Sequence, residues 1–263
     1  MLALIAGQGA LPAELAHRLK DRPLVCAMRG SEPDHIEAEL TFRLEQLGSF
    51  IARLTASGVT EICLAGAVRR PAIDPSEIDA ETMPLVPILQ GAIAAGDDGA
   101  LRAIIGIFEQ AGLSVRAAHE VAPDLLMGEG VPTEIQPGEL DRPDADRGAE
   151  VVEAMSRADV GQSCAIRRGQ AISVENLFGT DWMLRALAQR PDGTGGLLFK
   201  APKPDQDRRA DLPTIGPQTV ELAAQAGLSG IVLEAGGVIV LSQDEVIATC
   251  NRLGLFLWLR PAA

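Results

Sequence analysis

LALIAGQGALPAELAHRLKDRPLVCA, residues 2–27, reads as strand, glycine turn, helix and strand in succession. Leu2 to Ala6 is an apolar run of strand length, and Gly7 and Gly9 interrupt it. Leu11 to Lys20 has apolar residues at helical spacing, with Pro12 in the first turn, where a missing N–H is harmless. Pro23 to Ala27 is a second apolar run. A strand joined to the next one through a helix is a crossover connection, so the stretch predicts a parallel sheet covered by helices.

The same rhythm continues downstream. Phe42 to Ser57 reads as a helix closed by Gly58, followed by the strand Glu61 to Ala65 and a turn at Gly66. Asp97 and Asp98 suit the cap of a helix running to Ala111, with Leu101, Ile104, Ile105 and Phe108 on one face. Gly112 ends it, and Leu113 to Ala117 is another strand. Residues 1–125 are therefore expected to form a Rossmann-like α/β lobe. Residues 126–147, with Pro132, Pro137 and Pro143, read as a connector of low periodicity.

Residues 148–263 form the second expected lobe, entered by a helix near Ala145 to Ala158. Strands are predicted at Ser163 to Arg167, Gln170 to Glu175, Gly196 to Lys200, Gly230 to Glu234, Val238 to Leu241 and Leu255 to Leu259. Helices fall at Asp181 to Gln189, Pro217 to Ala226 and Gln243 to Arg252. The fold class is thus α/β in two lobes, an N-terminal parallel sheet and a C-terminal mixed α/β domain, with the ligand expected between them.

Composition narrows the function. Of 263 residues, 47% are hydrophobic and none is Tyr, so the core is aliphatic. The net charge of −13 excludes a general nucleic-acid binder, which needs clustered Lys and Arg. The start lacks a basic leader and runs straight into a glycine turn, which reads as a first strand and not a signal peptide. Residues 82–96 are uncharged but broken by Pro84, Pro87 and Gly91, and shorter than a bilayer span. Cys26, Cys63, Cys164 and Cys250 form no paired motif and read as buried thiols of a reducing compartment. His17, His35 and His119 have no metal-ligand spacing.

Two glycine turns end strands of the first lobe. Gly7 to Gly9 precedes a helix and could bring backbone N–H groups to a phosphate, or could be a plain tight turn; the full dinucleotide fingerprint is not there. Gly66, with Arg69, could line the same crevice, or belong to a solvated basic turn. The second lobe is more informative. Glu175 and Gly179-Thr180-Asp181 lie where a strand ends and a helix begins. Then Lys200-Ala-Pro-Lys203-Pro-Asp-Gln206-Asp207-Arg-Arg209-Ala-Asp211-Leu-Pro-Thr214-Ile-Gly216 places two Lys, two Arg and three Asp within twelve residues. Cations there can hold phosphate oxygens beside carboxylates that can hold a hard metal ion or a water.

Gly-Thr-Asp181, then Lys200-x-x-Lys203-Pro-x-Gln-Asp207-x-Arg209-x-Asp211-x-Pro213-x-x-Gly216, resembles the signature of the LpxI family, and so do the opening Ile5-Ala-Gly7-x-Gly9-x-Leu-Pro12 and the late Ala226-Gly227-Leu-x-Gly230-Ile. Phe178 and Asp205 depart from the pattern, standing where an acidic residue and a glycine are expected. The resemblance implies a cytoplasmic enzyme of lipid A biosynthesis in Gram-negative bacteria. It would hydrolyse the diphosphate of UDP-2,3-diacylglucosamine in a Mg²⁺-dependent reaction (Mn²⁺ being a possible substitute), giving UMP and 2,3-diacylglucosamine 1-phosphate, lipid X. Peripheral contact with the inner membrane and a homodimer stay open.

On that likeness Asp211 and Asp207, with Asp181 or Glu175, are the expected Mg²⁺ ligands. Lys200, Lys203 and Arg209 would neutralise charge on the phosphoryl oxygens. Substrate contacts fall to Gly7, Gly9, Gly66, Thr180, Gln206, Thr214 and Gly216. Asp211 is the expected indispensable carboxylate, as metal ligand or general base, because Leu212-Pro213 fixes it ahead of a helix. The rival reading is a sugar-nucleotide or lipid-carrier protein without turnover, but simple diphosphate binding gains nothing from Asp beside the anion. A nicotinamide dehydrogenase is disfavoured by the incomplete fingerprint.

Overall fold

A computed structural model describes the chain except residues 69–71, 95, 192, 205–206, 210–211 and 263, with backbone only for 92–94 and 96–98. It divides into two compact units, Met1–Pro123 with Asp207–Asp211, and Asp124–Gln206 with Leu212–Ala263.

The first unit is built on strands β1 (Leu2–Ala6), β2 (Leu24–Met28), β3 (Leu40–Phe42), β4 (Glu61–Ala65) and β5 (Ser114–Arg116). Their order is β3-β2-β1-β4-β5, and every neighbouring pair is parallel. Its helices are α1 (Leu11–Arg18), α2 (Leu47–Ala56), α3 (Val86–Ala94), α4 (Gly96–Gln110) and the short α5 (Ala118–Val121). Strand β1 is buried along nearly its whole length, as a parallel strand covered on both faces must be. Ile5, Phe50, Leu54, Ile62 and Phe108 belong to the core that the helices close over one face.

The order reverses between β1 and β4, the place where open α/β sheets leave a crevice beyond the strand ends. Here Gly7 N donates to Ala65 O at 2.8 Å, and Gln8 and Ala67 exchange backbone hydrogen bonds. The two chains lie so close that a Cβ on Gly7 would stand 2.5 Å from Ala67 O, and one on Gly66 2.7 Å from the Gly7 carbonyl carbon. Gly66 also has φ of +90°. Gly66→Ala is expected to destabilise the first unit by about 2–4 kcal/mol, combining backbone strain with overpacking, as a lowered denaturation midpoint would show.

Two of the differences from the sequence reading have a plain cause. The helix expected over Phe42 to Ser57 begins only at Leu47; Phe42 ends β3 and stacks on Phe50 with ring centroids 3.9 Å apart. The apolar spacing ran unbroken through this region, but pairing of Met28 with Phe42 draws the first residue into the sheet, and a 3₁₀ turn over Leu44–Gln46 precedes the helix. The proline-broken stretch near residue 86 forms α3, because Pro87 falls in its first turn.

The second unit has strands β6 (Ser163–Arg167), β7 (Gln170–Val174), β8 (Leu197–Lys200), β9 (Thr214–Ile215), β10 (Gly230–Glu234), β11 (Ile239–Val240) and β12 (Phe256–Arg260). Its helices are α6 (Asp141–Ser156), α7 (Gly179–Leu187), α8 (Pro217–Gln225) and α9 (Gln243–Leu253). The main sheet runs β12-β10-β8-β6-β7, parallel from β12 to β8 and antiparallel from β8 to β7. Strands β9 and β11 pair separately. Leu184, Leu198, Val220, Ile231, Val246 and Leu257 belong to the core between sheet and helices. Asp144, buried on α6, accepts from the amides of Arg168 and Gly169 and so holds the β6–β7 turn.

All four cysteines are free and buried. Burial pushes each thiol up to about 12.

Candidate active site

Strand β8 ends in Lys200, whose side chain is only 7% exposed. In the antiparallel pairing with β6, Lys200 lies directly opposite Ser163, so the two side chains share one face of the sheet. Helix α7 starts beside them and supplies Thr180 from its first turn. Lys200 Nζ donates to Thr180 Oγ1 at 2.9 Å and to Thr214 O, at the start of β9, at 3.0 Å. Glu175, just past β7, accepts from Ser163 Oγ at 2.7 Å and from Gln162 N at 3.3 Å. Ser163 Oγ and Thr180 Oγ1 are 3.3 Å apart. A connected chain therefore runs Glu175, Ser163, Thr180, Lys200.

The ends of that chain matter most. A buried ammonium is normally matched by a carboxylate, because leaving a charge uncompensated away from water costs several kcal/mol. Among the described residues, Lys200 has a hydroxyl and a carbonyl but no carboxylate partner. Among the described residues, two of its three N–H donors are used.

Further contacts hold the remaining expected site residues where the structure describes them. Asp181 accepts from Gln218 Nε2 at 3.1 Å and faces Arg185 at 3.8 Å. Lys203 pairs with Asp159, a residue with φ of +51°. Thr214 contributes its carbonyl to Lys200, while its hydroxyl donates to Leu212 O. Gly216 is the residue preceding α8. Asp207 and Arg209 group with the first unit, where Arg209 forks onto Asp207 at 3.0 and 2.8 Å and reaches Glu109 at 2.6 Å. The Arg209 guanidinium holds the Asp207 carboxyl below the usual carboxylate range. In the first unit, Gly9 N donates to Asp34 Oδ2 at 2.7 Å, so the amide that could face a phosphate already faces a carboxylate. Asp211, Gln206 and Arg69 lie outside the described residues.

No group of three or more His, Cys, Asp or Glu side chains suited to a metal ion occurs among the described residues. Glu175, Asp181 and Asp207 each accept from a different protein donor.

Sequence reading named Lys200, Thr180, Thr214 and Glu175, and the structure brings all four together. It missed Ser163. The one signal was a hydroxyl opening a largely apolar strand, and its meaning depends on sheet register, which sequence does not carry.

Fold and site define a class: a two-unit α/β protein with a buried lysine in its second unit, held by a threonine hydroxyl and a backbone carbonyl. Residues 1–125 match the LpxI N-terminal domain and residues 128–258 the LpxI C-terminal domain. A relative from Caulobacter vibrioides, UDP-2,3-diacylglucosamine pyrophosphatase LpxI, is 36% identical over 268 aligned positions, covering 97% of this chain and 96% of the relative. The chain belongs to the LpxI family.

Proposed function

We propose that this chain hydrolyses the diphosphate of UDP-2,3-diacylglucosamine, releasing UMP and 2,3-diacylglucosamine 1-phosphate. The observation that carries this reading is Lys200, a buried cation with an open donor and no carboxylate partner among the described residues, in a chain of the LpxI family. Its ammonium would grip a phosphoryl oxygen and stabilise the charge that builds there as the anhydride bond breaks, an effect strengthened by the low local dielectric. Thr180 and the Thr214 carbonyl orient that ammonium and cost no rearrangement during the reaction.

Dependence on Mg²⁺ or Mn²⁺ is part of the proposal and rests on the family likeness. A bound cation would supply charge neutralisation and an activated water. No step is derived through it, since the described carboxylates do not assemble into a site. No helix of the described residues is long and apolar enough to cross a membrane. Contact with the surface of the bilayer that holds a diacylated substrate, in the cytoplasm, belongs to the same proposal.

Purified protein and UDP-2,3-diacylglucosamine test the reading directly. UMP should appear, excess chelator should abolish its release, and added Mg²⁺ or Mn²⁺ should restore it. Tight binding without UMP would favour a non-catalytic sugar-nucleotide carrier, and full activity in chelator would leave the cations of the chain to act alone. With ¹⁸O-water, attack on the β-phosphorus puts label into 2,3-diacylglucosamine 1-phosphate. Label in UMP would move the attack to the α-phosphorus.

A further inference from the structure

We propose that Ser163 is a positioning residue for the Lys200 ammonium, and that Glu175 sets its orientation from the far end of a buried hydroxyl relay. This rests on the reading of Lys200 as the phosphate-gripping cation. Ser163 is fully buried and faces Lys200 across the β6–β8 pair. It stands 2.7 Å from Glu175 Oε2 and 3.3 Å from Thr180 Oγ1, and Thr180 Oγ1 stands 2.9 Å from Lys200 Nζ.

Counting protons gives the relay a direction. An ionised carboxylate only accepts, an ammonium only donates, and a hydroxyl has one proton and two lone pairs. The Ser163 proton therefore goes to Glu175. The Thr180 proton then goes to Ser163, which leaves Thr180 lone pairs turned toward the ammonium. Glu175 is tied to the strand it serves, because its own amide donates to Ser163 O at 2.9 Å. Without the Ser163 hydroxyl, the Thr180 proton loses its acceptor in the relay and Thr180 can rotate. The ammonium is then steered by the Thr214 carbonyl alone.

Small misplacements at a reacting centre weigh heavily, about 10²-fold for 1 Å, and a loosened lysine should lose part of that. Ser163→Ala is expected to lower kcat about tenfold with little change in KM, the sign of an interaction felt mainly in the transition state. Ser163→Cys, which keeps a weak donor and acceptor, should recover part of the loss. Added to Lys200→Met, Ser163→Ala should cost nothing further, because it acts only through that ammonium. Glu175→Gln should also lower kcat, show the same non-additivity, and leave the Mg²⁺ concentration for half-maximal activity unchanged. If Ser163→Ala does not fold, the Cys and Gln variants carry the same comparison. Wild-type kcat in folded Ser163→Ala or in Glu175→Gln would overturn the proposal. So would an additive loss in either double variant, or a raised Mg²⁺ requirement in Glu175→Gln. Full activity of Lys200→Met alone would instead remove the reading of Lys200 itself.

Discussion

A Lys200→Met protein is expected to fold and to lose about two to three orders of magnitude in turnover, the scale of removing one preorganised charge-stabilising donor. The two halves of that expectation have different origins. Methionine has nearly the length of lysine, so the buried volume stays filled. Removing a buried cation that no carboxylate matches among the described residues relieves a desolvation penalty. Against this, the Thr214 carbonyl loses its donor, at about 1–3 kcal/mol. The terms oppose each other and are of similar size, so the melting temperature should stay within about 5 °C of wild type. A lysine kept for structure would behave the other way, with lost stability and retained turnover. Calorimetry beside a UMP-release assay separates the two. Wild-type turnover in a folded Lys200→Met protein would end the assignment.

Asp211→Ala carries the second large expectation, and it rests on the sequence pattern, because Asp211 lies outside the described residues. Losing a metal ligand or general base should lower turnover by about two or more orders of magnitude while substrate binding and folding persist. Equilibrium binding of the substrate to the variant, measured beside single-turnover hydrolysis, makes the distinction. Near-normal activity in the purified, folded variant would show that Asp211 does no more than precede a helix.

What sequence reveals here follows the range of the forces involved. Strands β1, β4, β6 and β10 are apolar runs bounded by glycine or a charged turn, and their edges could be read almost to the residue. Strands β3 and β9 are only three and two residues long. They exist because a neighbouring strand offers them a ladder, and nothing local announces that. The site shows the same division. Lys200 and Thr180 stood out by residue type, whereas the partnership of Glu175 with Ser163 depends on which strands pair and in what register. The charged loop teaches a further limit. Arg209 reads as a cation for phosphate, and composition does not show that Asp207 and Glu109 engage it.

The placement of the four cysteines gives this protein two internal clocks. Only a thiolate reacts at a useful rate, and thiols held near 12 and out of contact with water are inert at neutral pH. Alkylation must therefore wait for the structure around each sulfur to open. Cys26 and Cys63 sit in the first unit, Cys164 and Cys250 in the second, all fully buried. Peptide-resolved alkylation rates would then time the opening of each unit separately in the unmodified chain, and a ligand that steadies one unit would slow its pair of sulfurs alone.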